Sequence, residues 1–546
     1  MADQKFDPIA HAETMRAQGY WLECTVDAFL ARAVAKFPEK TAVIAYRDDH
    51  CRVQPIARLS YLELSARVSR AAGSLMALGV GRGDIVAVQL PNWWEFIVIA
   101  LAAGRVGAVV NPLMPIFRER ELGFMLSHSE AKLLVIPKMF RGFDHEAMIL
   151  SMRERLPKLR YVAVVDGLGP ESFNDMLLKE GASDLAFGET EGLRPDELAV
   201  LMFTSGTTGE PKGVMHSCNT LLACLTSLTE RFRLANDEVL LCCSPMGHMS
   251  GFAAMFLQSI FLGGTLVLQD LWSASRGVAI MKAERVTHTA ASTPFLADIC
   301  EVVDHGAPRP DHMRTFLCAG APIPPVLIER ALKSLGIPVS SLWGMTESLT
   351  STLTEPERAT EKSSSSDGRA VAGVDVKVVD NEGNVLPVGQ TGSLMVRGAQ
   401  MFLGYFRRPD LQTFDAAGWF DSGDLAYADS EGYIRINGRT KDVLIRGGEN
   451  VPVFEIEALL YKHPALAEVA IVGYPDARLG ERSCAFVVLR AESMFDLASA
   501  QAYMAECHVA KQYWPERVEV LEALPRTPSG KIQKYVLREL ALEGHA

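Results

Sequence analysis

The chain has 546 residues, too many for one simple hydrophobic core, so at least two domains are expected. Hydrophobic residues make up 48% and charged ones 22%, the balance of a globular protein in water. The formal net charge of −12 argues against a nucleic-acid partner held by general electrostatics, while a local basic patch could still hold a small anion.

Ten cysteines without a C-x-x-C pair read as reduced, mostly buried thiols of a cytoplasmic protein. The N-terminus carries acidic residues where a signal peptide would be basic and then apolar, which fits the same expectation. Two apolar stretches, 96–110 and 251–268, are each interrupted, the first by Arg105 and the second by Gln258 and the Gly263-Gly264 pair. Neither reads as a membrane span.

In chain order, residues 25–37 show apolar side chains at helical spacing and stop at Pro38, and Thr41–Tyr46 reads as a strand. Residues 60–78 form an amphipathic helix opened by Ser60 with Glu63 three positions on, a reciprocal capping pattern. A strand over 85–90, a helix over Trp94–Arg105 and a strand over 108–110 follow, continued by strands at 133–136 and Tyr161–Val165. Such alternation means βαβ units on parallel sheet, and so the α/β class. Residues 180–194 read as a surface connection leading to an apolar strand at 198–203. Beyond it come a helix over 221–232, a strand over 239–243, and, within 251–268, a buried helix, a turn and a strand. Residues 355–367, where Lys362 precedes four serines, read as a mobile surface loop; 371–380 and 391–396 read as half-buried strands joined by a turn at 381–384. From Val443 a short α/β pattern continues: helix 453–461, strands 468–472 and 484–489, helix 497–507.

The sharpest stretch is Thr204-Ser205-Gly206-Thr207-Thr208-Gly209-Glu210-Pro211-Lys212-Gly213. Its glycines remove bulk and its hydroxyls add donors, so backbone N–H groups can wrap phosphate oxygens while Lys212 sets a point charge on them. No Gly-Lys-Ser/Thr closes it, so it is not a Walker A loop. In Trp343-Gly344-Met345-Thr346-Glu347 an aromatic face can stack on adenine or wall a pocket, Gly344 clears space, Thr346 can donate to phosphate, and Glu347 offers oxygen to Mg²⁺. Residues 316–319 read as a strand ending in the small turn Gly320-Ala321-Pro322, which admits a flat ring. Three further motifs follow: Ser422-Gly423-Asp424, Gly438-Arg439-Thr440-Lys441-Asp442, and Pro525-Arg526-Thr527-Pro528-Ser529-Gly530-Lys531.

In this order the motifs resemble the adenylate-forming superfamily of acyl-CoA synthetases, peptide-synthetase adenylation domains and luciferases, over nearly the whole chain. The resemblance implies a large N-terminal domain of layered sheets and helices over 1–438, a hinge at 439–442, and a small mobile C-terminal α/β domain over 443–546. It places the nucleotide on Thr204, Ser205, Gly206, Thr207, Thr208, Gly209 and Lys212, on Gly320, Ala321 and Pro322, and on Trp343, Gly344, Met345 and Thr346. Asp424 would accept from the ribose hydroxyls, with Arg439 on the ribose and phosphate side. Glu347 and Thr204 would hold Mg²⁺, and Lys531 would join the substrate carboxylate to the α-phosphate. Lys531, Glu347, Thr204 and His248 are the implied catalytic set. The acyl pocket would be lined by His248, Gly251, Phe252, Ala319, Gly320 and Gly344. Lys441 would be the pivot, and Gly447, Gly448 and Glu449 would approach CoA after rotation. Two residues depart from the pattern: Trp343 stands where the family more often has Tyr, and Ser422 replaces the commoner Thr.

ATP, Mg²⁺ and CoA are therefore the expected cofactors, and an acid–CoA ligase working through an acyl adenylate is the expected activity. An amino-acid adenylation module with a carrier-protein thiol competes with it; the chain's end shortly after Lys531 counts against a fused carrier. A non-catalytic nucleotide- or acyl-binding protein is the reading from another class, and the joint presence of Glu347, Asp424, Arg439 and Lys531 speaks against it. The overall pattern, including 11–21, is similar to cyclohexanecarboxylate–CoA ligases, with medium-chain fatty acid and aryl acid ligases as alternatives. Lys531 also lies in a segment similar to one acetylated in many acyl-CoA synthetases, which implies a protein acetyltransferase and a deacetylase as partners.

Overall fold

A computed structural model describes residues 6–543 except 49–55, 180–184, 190, 205–210, 321–322, 412–413, 440–443, 447–448, 452, 477 and 528–530, and only the backbone of 445, 449 and 450. Its large sheets are built from short runs in which most residues are buried. In Thr41–Tyr46, Val43 and Ala45 enter one core while Ile44 and Tyr46 enter another. In Ile85–Val88 the split is Val86 and Val88 against Ile85 and Ala87, and in Leu133–Pro137 it is Leu133 and Val135 against Leu134 and Ile136. Side chains alternate across a strand, so a continuous apolar run needs cover on both faces.

That cover produces five layers. One sheet has nine strands in the order Arg369–Ala370, Leu349–Leu353, Val339–Met345, Thr315–Ala319, His288–Ser292, Val239–Cys242, Thr265–Gln269, Thr41–Tyr46, Ala57–Ser60. The other has six, in the order Lys212–Ser217, Leu198–Thr204, Val109–Pro112, Ile85–Val88, Leu133–Pro137, Tyr161–Val165. Helices Tyr61–Ala77, Trp94–Arg105 and Cys218–Phe232 share one core with both inner sheet faces. Trp94–Arg105 is buried nearly all round, as its apolar sequence requires. Its one charge in the last turn, Arg105, is buried and donates to Asp27 across 2.7 Å. Helices Ala274–Ala283, Thr293–Asp304 and Pro325–Leu335 cover the outer face of the larger sheet, and Glu119–Ser129 and His145–Met152 that of the smaller.

An antiparallel sheet of Val374–Val379, Gly392–Gly398, Phe420–Ala428 and Ile434–Arg439 completes the large N-terminal part. From Leu444 the strands join a separate five-stranded sheet, with Val453–Leu460 and Leu497–Glu506 on one face and Lys534–Glu543 on the other. The architecture is the expected α/β class, a large N-terminal domain and a smaller C-terminal one. No described helix is long and apolar enough to cross a membrane.

Two expectations need correction. Residues 355–367 are not a surface loop but a packed turn and short helix, Pro356–Arg358 and Ala359–Lys362. Ser363 Oγ accepts from Ser341 N, Ser341 Oγ donates to the Ser366 carbonyl, and Asp367 Oδ2 accepts from Ile436 N. Ser363 and Ser366 are buried hydrogen-bonding groups, which composition alone reads as solvated. The helix expected from 221 begins at Cys218, because Ser217 and Thr220 cap each other across its first turn.

Candidate active site

The strands Leu198–Thr204 and Lys212–Ser217 form an antiparallel pair in which Thr204 lies opposite Lys212. Thr204 Oγ1 donates to the Lys212 carbonyl at 3.5 Å, closing the base of the expected phosphate loop. Ser205, Gly206, Thr207, Thr208 and Gly209 lie outside the described residues. Two other segments lock onto this hairpin. The backbone at 403–406 runs beside it, with Leu403 N donating to Met215 O across 2.8 Å and Phe406 N to Gly213 O across 2.7 Å. The turn at Thr346 and Glu347 is tied down by His216, whose Nε2 bonds the Thr346 carbonyl at 2.7 Å. His216 is fully buried, and burial pushes its pKa down to about 4, so the ring is a neutral donor here.

Glu347 is consequently held from both sides. Its carbonyl accepts from Phe402 N at 2.9 Å and its Oε1 from the Tyr405 hydroxyl at 2.9 Å. Burial raises the carboxyl's pKa; its backbone bond, the Tyr405 hydroxyl, Lys212 and Lys531 oppose that. Lys212 Nζ stands 4.9 Å over the Tyr405 ring. Among the described residues no group of three or more His, Cys, Asp or Glu side chains could hold a metal unaided. A single buried carboxylate with lone pairs to spare still suits Mg²⁺, which completes its shell from phosphate and water oxygens.

The end expected to hold the ribose is built by strand register. Asp424 lies opposite Arg439, and Arg439 Nε donates to Asp424 Oδ1 across 2.9 Å. Trp343 arrives from the nine-stranded sheet and donates its indole N–H to Asp424 Oδ2 across 2.8 Å. Each carboxylate oxygen keeps one further lone pair, enough for two ribose hydroxyls.

Lys531 reaches the same place from the C-terminal domain. Thr527 N donates to the Lys531 carbonyl at 2.7 Å and Lys531 N to Thr527 Oγ1 at 3.0 Å, a tight hairpin that presents the side chain. A Cβ on Gly320 would lie 3.8 Å from Lys531 Cε, and Gly320 has φ +86°, a left-handed position that glycine occupies without strain. Burial lowers the Lys531 pKa, Arg439 adds to that, and Asp424 and Glu347 oppose it. His248 is lowered to about 4 by burial and then by Lys531. Its Nδ1 accepts from Ser250 N at 3.3 Å, leaving the proton on Nε2.

Several expected acyl-pocket residues have other duties. A Cβ on Gly251 would lie 2.4 Å from the Pro245 carbonyl oxygen and 2.5 Å from that of Ser244. Glycine is required there by neighbouring backbone, so Gly251 does not supply acyl room. Gly344 is likewise pressed on backbone, its Cβ position 1.8 Å from Leu349 O, and Met345 pairs with Leu349 within the same hairpin. Phe252 is a core ring, edge-on to Phe96 and Phe256 with centroids 6.2 and 5.4 Å away. Ala319 ends its strand opposite Ser292, beside Gly320. Ala321, Pro322, Lys441, Gly447 and Gly448 lie outside the described residues, as does the Glu449 side chain. Sequence reasoning missed His216 and Tyr405, and a lone ring in a β-rich stretch carries no signal that would have found them.

The family model of the AMP-binding enzyme matches residues 30–406, and that of the AMP-binding enzyme C-terminal domain matches 455–531. The chain is 36% identical to the medium-chain fatty-acid–CoA ligase of Escherichia coli, covering 96% of this chain and 92% of that one. It is 31% identical to the 3-[(3aS,4S,7aS)-7a-methyl-1,5-dioxo-octahydro-1H-inden-4-yl]propanoyl:CoA ligase of Mycobacterium tuberculosis, covering 94% and 99%. Among solved structures, ATP-bound MatB from Rhodopseudomonas palustris superposes with a TM-score of 0.83 at 29% identity, covering 95% and 99%. The chain belongs to the AMP-binding enzyme family of the adenylate-forming superfamily. Within it, the chain is an AMP-forming acid–CoA ligase.

Proposed function

We propose that the enzyme activates an alicyclic monocarboxylate of the cyclohexanecarboxylate type, using Mg-ATP and CoA. The observation that carries the adenylation chemistry is Lys531 seated against Gly320, with its charge felt by Glu347 and His248. The substrate class rests on the similarity of the overall sequence pattern to cyclohexanecarboxylate ligases and on the small residues Ala319 and Gly320. A medium-chain fatty acid is the second reading, favoured by the Escherichia coli relative; the Mycobacterium tuberculosis relative, whose acid carries a saturated fused ring, favours the first.

In the first half-reaction a carboxylate oxygen attacks the α-phosphorus, the bond to the β-phosphate oxygen breaks, and pyrophosphate leaves. Charge spreads over the α-phosphate oxygens, so positioning and cationic stabilisation do most of the work. Lys531 bridges the carboxylate and α-phosphate, Lys212 faces the departing phosphates, and Asp424 with Arg439 fixes the ribose. Mg²⁺, held through Glu347 with Thr204 beside it, would neutralise phosphate charge. In the second half the CoA thiolate attacks the anhydride carbonyl and AMP leaves. The C-terminal domain turns about Lys441 for this step, withdrawing Lys531 and bringing Gly447, Gly448 and Glu449 to the site. Acetylation of Lys531 by a protein acetyltransferase removes the cation and stops the first half alone, until a deacetylase restores it.

Pyrophosphate release from ATP is the test, measured with and without CoA across cyclohexanecarboxylate, benzoate, hexanoate, octanoate and several amino acids. CoA-dependent turnover highest with the alicyclic acid is expected. Preference for octanoate or benzoate would replace the substrate and keep the mechanism; an adenylate that CoA cannot discharge would point to a carrier-protein thiol.

A further inference from the structure

Ser292 lies at the N-cap position of helix Thr293–Asp304, with φ −80° and ψ 165°. Serine is a favoured residue there because its oxygen normally accepts from the first-turn N–H groups. Here it does not: the hydroxyl makes no cap bond, and Pro294 removes one of the donors it would have used. Among the described residues Ser292 Oγ has no protein hydrogen-bond partner, and it is buried on a residue only 7% exposed. Cores seldom keep such a group, since burying an unpaired hydroxyl is unfavourable.

Its location explains what it lacks. Ser292 ends its strand opposite Ala319, and Ser292 Cβ and Lys531 Cε each lie 3.8 Å from the Cβ position of Gly320. The hydroxyl and the lysine therefore flank one glycine, with the N-terminus of a twelve-residue helix behind them. Three features converge there that favour an anion: a hydroxyl donor, a cationic side chain and the positive end of a helix. Two groups on either side of one glycine match the two oxygens of a carboxylate, one facing Lys531 and the other Ser292.

We propose that the Ser292 hydroxyl is a substrate-binding group that donates to the carboxylate oxygen of the acid which does not attack phosphorus. This rests on the acid–CoA ligase reading and adds to it a residue that orients the acid. During adenylation that oxygen becomes the carbonyl of the mixed anhydride and keeps accepting from the same hydroxyl, so the bond holds the attacking oxygen in line throughout.

Pyrophosphate release by wild type and Ser292→Ala tests it, with the acid varied at saturating Mg-ATP and then ATP varied at saturating acid, alongside thermal melting of both proteins. A hydrogen bond to a charged group predicts a rise in the acid's KM of about tenfold to a hundredfold, with the KM for ATP unchanged. Because no protein partner is lost, the melting temperature of Ser292→Ala should equal or exceed that of wild type. An acid KM within about twofold of wild type, or a clear loss of melting temperature, would assign the hydroxyl to the scaffold and overturn the proposal. If wild type releases no pyrophosphate with any acid, the ligase reading fails and the Ser292 assignment falls with it.

Discussion

Trp343 donates its indole N–H to Asp424 Oδ2 across 2.8 Å, opposite the 2.9 Å bond from Arg439 to the other carboxylate oxygen. The residue that departs from the family's usual tyrosine thus helps aim Asp424, the carboxylate proposed to accept from the ribose. Trp343→Phe keeps an aromatic face and removes the donor. It should raise the KM for ATP by about tenfold, the worth of one hydrogen bond to a charged group, while the KM for the acid changes far less. Initial rates of pyrophosphate release with each substrate varied in turn measure both.

The role proposed for Lys531 in the first half-reaction requires a cation, and its pKa is lowered chiefly by burial. The protonated form is therefore lost as pH rises through that lowered pKa, earlier than for an ordinary lysine. Adenylation should fall on an alkaline limb that thioester formation from a supplied acyl adenylate does not share. Lys531→Gln, which also imitates acetylation, should reduce adenylation by roughly a hundredfold or more at every pH and leave the second half within a few-fold of wild type. Equal loss in both halves would remove Lys531 from its assigned step.

His216 offers a stability prediction. Its pKa falls from 6.5 to about 4 on folding, because burial disfavours the charged ring. The unfolded chain then binds the extra proton, so the stability from the neutral ring is fully present above about pH 6.5 and is lost as pH falls toward 4. The shift corresponds to up to about 3 kcal/mol. Melting temperatures should decline across that window, and His216→Gln should show a shallower decline from a lower starting point.

Gly251→Ala discriminates between scaffold and pocket. A methyl group 2.4 Å from the Pro245 carbonyl oxygen must displace backbone, so the variant should lose about 1–3 kcal/mol of stability. Thermal melting checks this, and a panel of acids of increasing length run alongside would reveal any selectivity effect. An unaltered melting temperature with a shift toward shorter acids would return Gly251 to the acyl pocket.

These residues mark how far the chain could be read without coordinates. Fully buried strands such as Ile85–Val88 announce themselves as apolar runs, and the Ser60 and Glu63 cap announces its helix. The motifs around Thr204, Glu347, Asp424 and Lys531 are legible because their residue order is particular. A glycine is not legible in that way: Gly251, Gly344 and Gly320 look alike in sequence, whether the missing Cβ faces a carbonyl oxygen or Lys531. Contacts of long separation stay hidden too, as with Tyr405 on Glu347, 58 residues apart, or His216 on Thr346, 130 apart. The outer helices Ala274–Ala283, Pro325–Leu335 and Lys534–Glu543 also escaped notice, since each buries only a narrow stripe.

Helix Trp94–Arg105 touches the inner faces of both large sheets at once, sharing one core with Val43 on one side and Val86 on the other. The facing sides of the two sheets thus draw on a single core, while their outer faces have cores of their own. A bulky side chain forced in at Ala100 or Ala102 should therefore loosen both sheets together, lowering activity without touching a residue of the candidate site.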